Sequence, residues 1–136
     1  MRARLDLTEL MPFAAALGIE VLSNERDEVR ARMSWAPERC TSYGVLHGGA
    51  LMTLADSAGA MCAVNNLPEG AWTSTIESKT NFFRAVKEGH VEAVATPLHV
   101  GRTTIVIQTD LRDANGKRVA LVTQTQAVLS AGPAAP

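Results

Sequence analysis

A histidine, two glycines and one carboxylate stand in an order that can do chemistry: Leu46-His47-Gly48-Gly49 leads into Ala50-Leu51-Met52-Thr53-Leu54-Ala55-Asp56. Read as a helix entry, His47-Gly48-Gly49 supplies backbone N–H groups that lack an intrahelical acceptor and sit at the positive end of the dipole, where an oxyanion settles. Asp56 is the single charged residue between Gly48 and Val64, among Leu, Met, Ala, Thr, Ser, Cys, Val and Gly. A carboxylate in such company must find partners or take up a proton, and burial that raises its pKa strengthens it as a base while it stays ionised. The plain structural readings are an Asp satisfied within a packed interface, a tight glycine entry to a helix, and a structural histidine.

The element that carries these groups is a helix from Gly48 to about Asn65, stopped by Pro68 and Gly70. At about 100° per residue, Leu51, Leu54, Ala55, Ala58, Met61 and Cys62 form a core stripe, and Asp56 falls nearly opposite with Met52, Gly59, Ala60 and Ala63. A helix apolar all round is a buried one. Before it, Leu7 to Leu17 has helical spacing with Gly18 as a stop and Pro12 disturbing its first half; Ile19 to Leu22 and Val29 to Trp35 form a hairpin around Asn24 to Asp27; Pro37 to Gly44 is a polar loop. After it come four strands: Trp72 to Phe83, Val91 to Val100, Arg102 to Arg112 and Lys117 to Leu129, with a turn at Asp113-Ala114-Asn115-Gly116 and a bulge or edge at Pro97. This order predicts an α+β fold in which a curled antiparallel sheet wraps one long central helix, preceded by a short N-terminal helix. Residues 1–130 make a single domain and 131–136 a loose tail. One sheet cannot cover the whole helix, so a second copy of the chain is expected over the Asp56 face.

Composition narrows the function. With 13 basic and 14 acidic residues, a net charge of -1 and no block of like charge, nothing marks a nucleic-acid track or a basic membrane patch. Cys40 and Cys62 make neither a disulfide framework nor, with His47, His90 and His99, a metal spacing. No secretory signal is legible, so the cytoplasm is expected, and the Gly48–Val64 run, interrupted by Asp56, is shorter than the roughly 20 residues of a membrane span.

With His47-Gly48-Gly49, Leu54-Ala55-Asp56 nine positions after the histidine, Val100-Gly101-Arg102 and the Asn115-Gly116 turn in this order, the chain from Gly18 to Leu129 resembles the hotdog-fold acyl-CoA thioesterases, most nearly their phenylacetate-degradation branch. The resemblance implies hydrolysis of an acyl-CoA, with an aromatic or short to medium acyl group, to the free acid and coenzyme A without metal or bound cofactor. It implies Asp56 as general base or nucleophile, Gly48 N–H as oxyanion donor, His47 as a positioning group and Ser57 as an orienter of water. Where many relatives have Asn or Gln six positions before the histidine, this chain has Thr41, with Ser42 or Thr75 as possible substitutes.

Coenzyme A phosphates would meet Arg84, Lys87 and Arg102, with Gly101 and Thr103 beside the pantetheine, and the acyl group would lie near Gly49, Met52, Gly59, Ala60, Ala63 and Thr75 under Met11, Phe13 or Trp72. Eight residues of helix separate Gly48 from Asp56 by roughly 12 Å, too far for one chain to hold both against one thioester. Antiparallel packing of two helices would bring them together, so a homodimer is the minimum and a tetramer is expected. The competing readings are a non-catalytic acyl-CoA or acyl-carrier-protein binding module, a hydratase, disfavoured because no His occurs between Asp56 and His90, and a structural subunit.

Overall fold

The computed structural model describes residues 5–130. The expected tail, 131–136, lies outside them.

The short N-terminal helix is two pieces, α1 (Leu7–Leu10) and α2 (Pro12–Ala16), broken at Met11. Pro12 lacks an N–H and pushes the residue before it out of the helical region, which Met11 shows with φ -142° and ψ 72°. Asp6 caps α1 by accepting the Thr8 N–H at 2.9 Å. The chain then runs through β1 (Glu20–Asn24), β2 (Val29–Ser34), two 3₁₀ turns in the polar loop, the long helix α3 (Gly48–Val64), and β3 (Trp72–Phe82), β4 (His90–Val100), β5 (Thr104–Asp113) and β6 (Arg118–Leu129). The expected order of elements holds. Boundaries move by one or two residues, most at Arg102, which sits in the β4–β5 turn because the Gly101 N–H closes that turn on the Thr104 carbonyl at 2.8 Å.

All six strands join one antiparallel sheet in the order β1-β2-β4-β5-β6-β3, which leaves β3 on an edge. Pro97 stands at a register shift in β4, beyond Ala95, the last β4 residue that β2 pairs. Alternation turns Val29, Ala31, Met33, Val91, Ala93, Ala95, Ile105, Ile107 and Leu111 inward, where they meet the α3 stripe Leu51, Leu54, Ala55, Ala58, Met61 and Cys62, all buried. Each such Leu or Ile contributes about 1.5–3 kcal/mol by burial. Burial, and then the negative charge of Asp27, pushes the Cys62 thiol up to about 11. At its C-terminus α3 is tied to the β1–β2 turn: Asn65 donates to Asn24 Oδ1 at 2.6 Å and Asn66 to the Arg26 carbonyl at 2.7 Å.

One expectation about α3 needs correction. Gly59 and Ala63 are buried in the single chain, whereas Met52 (42 % exposed), Asp56 and Val64 (54 %) are open. The sheet curls far enough to cover one flank of the Asp56 face and then stops, so the carboxylate stands at the rim of the core and not inside it.

Candidate active site

The α3 N-terminus is built by His47. Its Nδ1 accepts the Gly49 N–H at 2.7 Å, its carbonyl takes the N–H groups of Ala50 (2.9 Å) and Leu51 (3.2 Å), and its own N–H donates to the Arg39 carbonyl at 2.9 Å. Among the described residues this leaves one first-turn donor without an acceptor, the Gly48 N–H. Of the helix-entry N–H groups expected from the sequence to lack an acceptor, the one left is that of Gly48. A Cβ at position 49 would lie 2.9 Å from His47 Nδ1, so glycine there permits the cap. Gly48 faces the Phe82 ring on the edge strand, and shares a cleft of about 340 Å³ with Thr41, Leu51, Phe82 and Arg84.

The loop before Gly48 holds a feature the sequence did not announce. Tyr43 has φ 63° and its side chain is 95 % exposed, with the loop pinned by the Trp35 indole donating to the Gly44 carbonyl at 2.9 Å. Such a backbone costs on the order of 1–3 kcal/mol, and it brings Thr41 round to Gly48.

Among the described residues Asp56 receives one hydrogen bond, from Gln124 Nε2 to Oδ1 at 3.4 Å. Partial burial raises its pKa above the ordinary aspartate value, and the Gln124 hydrogen bond opposes that rise. Ser57 is buried (4 % exposed) and so turned away from the open side of Asp56. Ala60 lines a separate apolar cleft with Leu10, Met11, Met61 and Val64, which places Met11 over Ala60 as expected but leaves Gly59 and Ala63 out of it.

Thr75 accepts from Gln126 Nε2 at 2.8 Å, while the Thr73 hydroxyl donates to Gln126 Oε1 at 3.1 Å. Both glutamines were absent from the expected site. The signal was there: Val122, Gln124 and Gln126 share the inward parity of β6, and an amide at a core position needs a reason.

The basic candidates separate into two groups. Arg84 follows the Phe82 end of β3, with Lys87 nearby, whereas Gly101, Arg102 and Thr103 form the β4–β5 turn beside the Trp72 end, where the Thr103 carbonyl accepts the Val128 N–H at 2.9 Å. The position of a Cβ on Gly101 is taken by the His99 ring and the Thr104 carbonyl, so this glycine serves the turn. Neither Arg84 nor Arg102 joins an ion pair among the described residues. In those residues no cluster of three His, Cys, Asp or Glu side chains is placed for a metal, and no helix is long and apolar enough to cross a membrane.

Known proteins share this fold. Residues 43–120 match the family model of the thioesterase superfamily. ComA2 of Bacillus subtilis, which bears the name of an esterase, is 35 % identical over 115 residues, spanning 84 % of this chain and 91 % of that protein. The solved thioesterase HI1161 of Haemophilus influenzae aligns with a TM-score of 0.83 at 30 % identity, covering 92 % of this chain and 91 % of the other. PaaI of E. coli, from the phenylacetic acid degradation operon, gives 0.81 at 25 % identity over 89 % and 86 % of the two chains. With the α+β architecture and the family model both matched over the segment that carries His47, Gly48 and Asp56, the chain belongs to the hotdog-fold thioesterase superfamily.

Proposed function

We propose that the protein hydrolyses an acyl-CoA thioester at two equivalent sites in a homodimer, each made from Asp56 of one subunit and the partner's Gly48. The observation that carries this reading is the separation on one helix of an acid and a free donor that a single reaction needs together. Gly48 offers the unsatisfied N–H, Asp56 the carboxylate with raised pKa, and about 12 Å of α3 lies between them. An antiparallel second α3 closes that gap for both sites at once. The open Asp56 face and the unpaired edge of β3, with Ile76, Phe82 and Phe83 exposed, are the surfaces such a partner would cover. The same two-fold brings Arg102 of one subunit to the end of the sheet where the partner's Arg84 lies, so that free cations from both chains meet the coenzyme A phosphates.

In this reading the carboxylate of Asp56 attacks the thioester carbon, or takes the proton of the water that does. Either route puts negative charge on the carbonyl oxygen, and the partner's Gly48 N–H meets it, a contribution of about 10²- to 10³-fold in rate for one donor. The C–S bond then breaks and the coenzyme A thiolate leaves, taking up a proton; in the water route the free acid is released at once, and in the direct route water hydrolyses the acyl–Asp56 anhydride to the free acid and the carboxylate. His47 holds the donor in place and Thr41 offers a hydroxyl in the same cleft. Neither metal nor bound cofactor is required. The likeness to PaaI favours aromatic acyl groups, with short and medium chains next; tetramers and a cytoplasmic setting belong to the same proposal. A binding module without turnover would have no use for a carboxylate whose only partner among the described residues is one long hydrogen bond.

Subunit complementation tests it. Asp56→Asn removes the base; Gly48→Pro removes the N–H at the first helical position, where proline is tolerated and His47 already has the extended backbone it needs. Each variant alone is expected to be inactive in thiol release from aryl-acyl-CoA. Mixed with free exchange, half of the dimers are mixed and each regains one intact site, giving roughly a quarter of wild-type activity. A mixture as dead as its components would overturn the shared site.

A further inference from the structure

We propose that Gln124 is a positioning residue for Asp56, and that α3 carries a glycine at position 59 in order to admit it. The proposal rests on the reading of Asp56 as the reacting carboxylate.

The two inward glutamines of β6 make different use of their amides. Gln126 has the edge strand on both sides: its Nε2 donates to Thr75 at 2.8 Å, and its Oε1 shares the Thr73 hydroxyl, at 3.1 Å, with the Ala127 carbonyl at 2.7 Å, so that it ties β3 to β6. Gln124, equally buried at 0 % exposure, has no such partner on a strand. Among the described residues its Nε2 reaches only Asp56, and its Oε1 is buried with no partner. Leaving a buried acceptor unmade costs about 1–3 kcal/mol, and an apolar residue of this size would avoid the cost. Packing therefore does not explain Gln124. The carboxylate does: an ionised Asp56 can accept from the amide nitrogen but would repel the amide oxygen, which fixes the amide with Oε1 turned into the helix.

Gly59 lies one turn beyond Asp56 on the same flank. A Cβ built there collides with Gln124 Oε1 and comes within 2.6 Å of its Cδ. Glycine inside a helix costs about 1 kcal/mol relative to alanine. At this position the missing methyl group is what lets the amide lie flat against the helix backbone and reach Asp56. Asp56, Gln124 and Gly59 are thus one unit contributed by two elements, and the hydrogen bond it makes sets which way the carboxylate points before substrate arrives.

The experiment uses full-length dimer and follows kcat, KM and the pH profile of thioester hydrolysis. Among the described residues of its own chain no other ionisable side chain faces Asp56: α3 has only Cys62, on another face, and the neighbouring inward positions Thr75, Ser78, Thr80, Thr109 and Gln126 do not titrate, which leaves the partner's His47, beside the partner's Gly48, as the titratable neighbour in the proposed dimer. Gln124→Met keeps the volume and removes the donor. It is expected to lower kcat about ten- to hundredfold, the range of a hydrogen bond to a charged group, with KM within about twofold and the acid limb of the profile moved to higher pH. Gly59→Ala, which displaces the amide, should move the limb the same way. In a Gln124→Ala background, where the amide is gone, adding Gly59→Ala should cost clearly less than it does alone. Folded variants with wild-type kcat and an unmoved acid limb would overturn the positioning role while leaving Asp56 as the base; an active Asp56→Asn enzyme would instead remove the reading beneath it. Thermal unfolding of each variant separates both outcomes from loss of fold.

Discussion

The inner surface of the sheet has two halves of opposite character. Across β2, β4 and most of β5 the inward residues are Val29, Ala31, Met33, Val91, Ala93, Ala95, Ile105, Ile107 and Leu111, and on the outside Arg30 and Arg32 hold Glu92 at 3.0 and 3.2 Å while Arg112 and Arg118 each hold Asp110 at 2.9 Å. Across β6 and β3 the inner surface turns polar at Gln124, Gln126, Thr73 and Thr75, and the arginines at either end of β3 have no ion-pair partner among the described residues. In the first half the inward residues agree with stability, apart from the Thr109 hydroxyl, buried with no partner among the described residues. In the second, several do not, and these gather around Asp56 and the free edge. Local conflict with packing is thus concentrated in the half of the sheet where the proposed site lies.

The sharpest test of this division is Asp56→Asn. Its hydrolysis should fall by about 10²- to 10⁴-fold, the span of a lost general base, while the melting temperature stays level or rises. The sign follows from the raised pKa: folding favours the protonated form, so at neutral pH the ionised carboxylate opposes folding, and the opposition fades as pH drops through its pKa. A large fall in stability would dissolve the distinction between the halves. Met33→Ala in the apolar half should do the reverse, costing about 2–5 kcal/mol in denaturant unfolding with kcat per folded enzyme unchanged. Smallest is Glu92→Gln. Burial alone would raise the Glu92 pKa, but the hydrogen bonds from Arg32 and Arg30 outweigh it and hold it below the ordinary 4.5. Its contribution is therefore present above that value and lost as pH falls through the lowered one. The variant should lose less than about 1 kcal/mol at neutral pH, and the gap should close in acid.

How much of this was legible in the sequence depended on whether a signal was local. Periodicity placed α3 and its buried stripe, and alternation with Asn115-Gly116 placed the late strands, because burial repeats at 3.6 and 2 residues. Gly48, His47 and Asp56 could be read from the same short stretch. The break at Met11 was half legible in Pro12. What the sequence hid was whatever two distant segments decide together: that His47 consumes the Gly49 N–H through its own ring, that Gly59 answers to an amide on β6, that Arg84 and Arg102 stand at opposite ends of β3, and that Ser57 is turned from its neighbour's open side. Thr41, which departs from the residue expected by family resemblance, nevertheless stands in the Gly48 cleft.

A protein that liberates a thiol at every turnover works in a bath of its own product. Mixed disulfides form through an accessible thiolate. Cys62 has no exposed surface and stays protonated far above neutral pH, so the middle of α3 carries sulfur as inert filling. Any disulfide that an oxidant forms between the protein and a released thiol is thereby left to half-buried Cys40, in a loop outside the central helix.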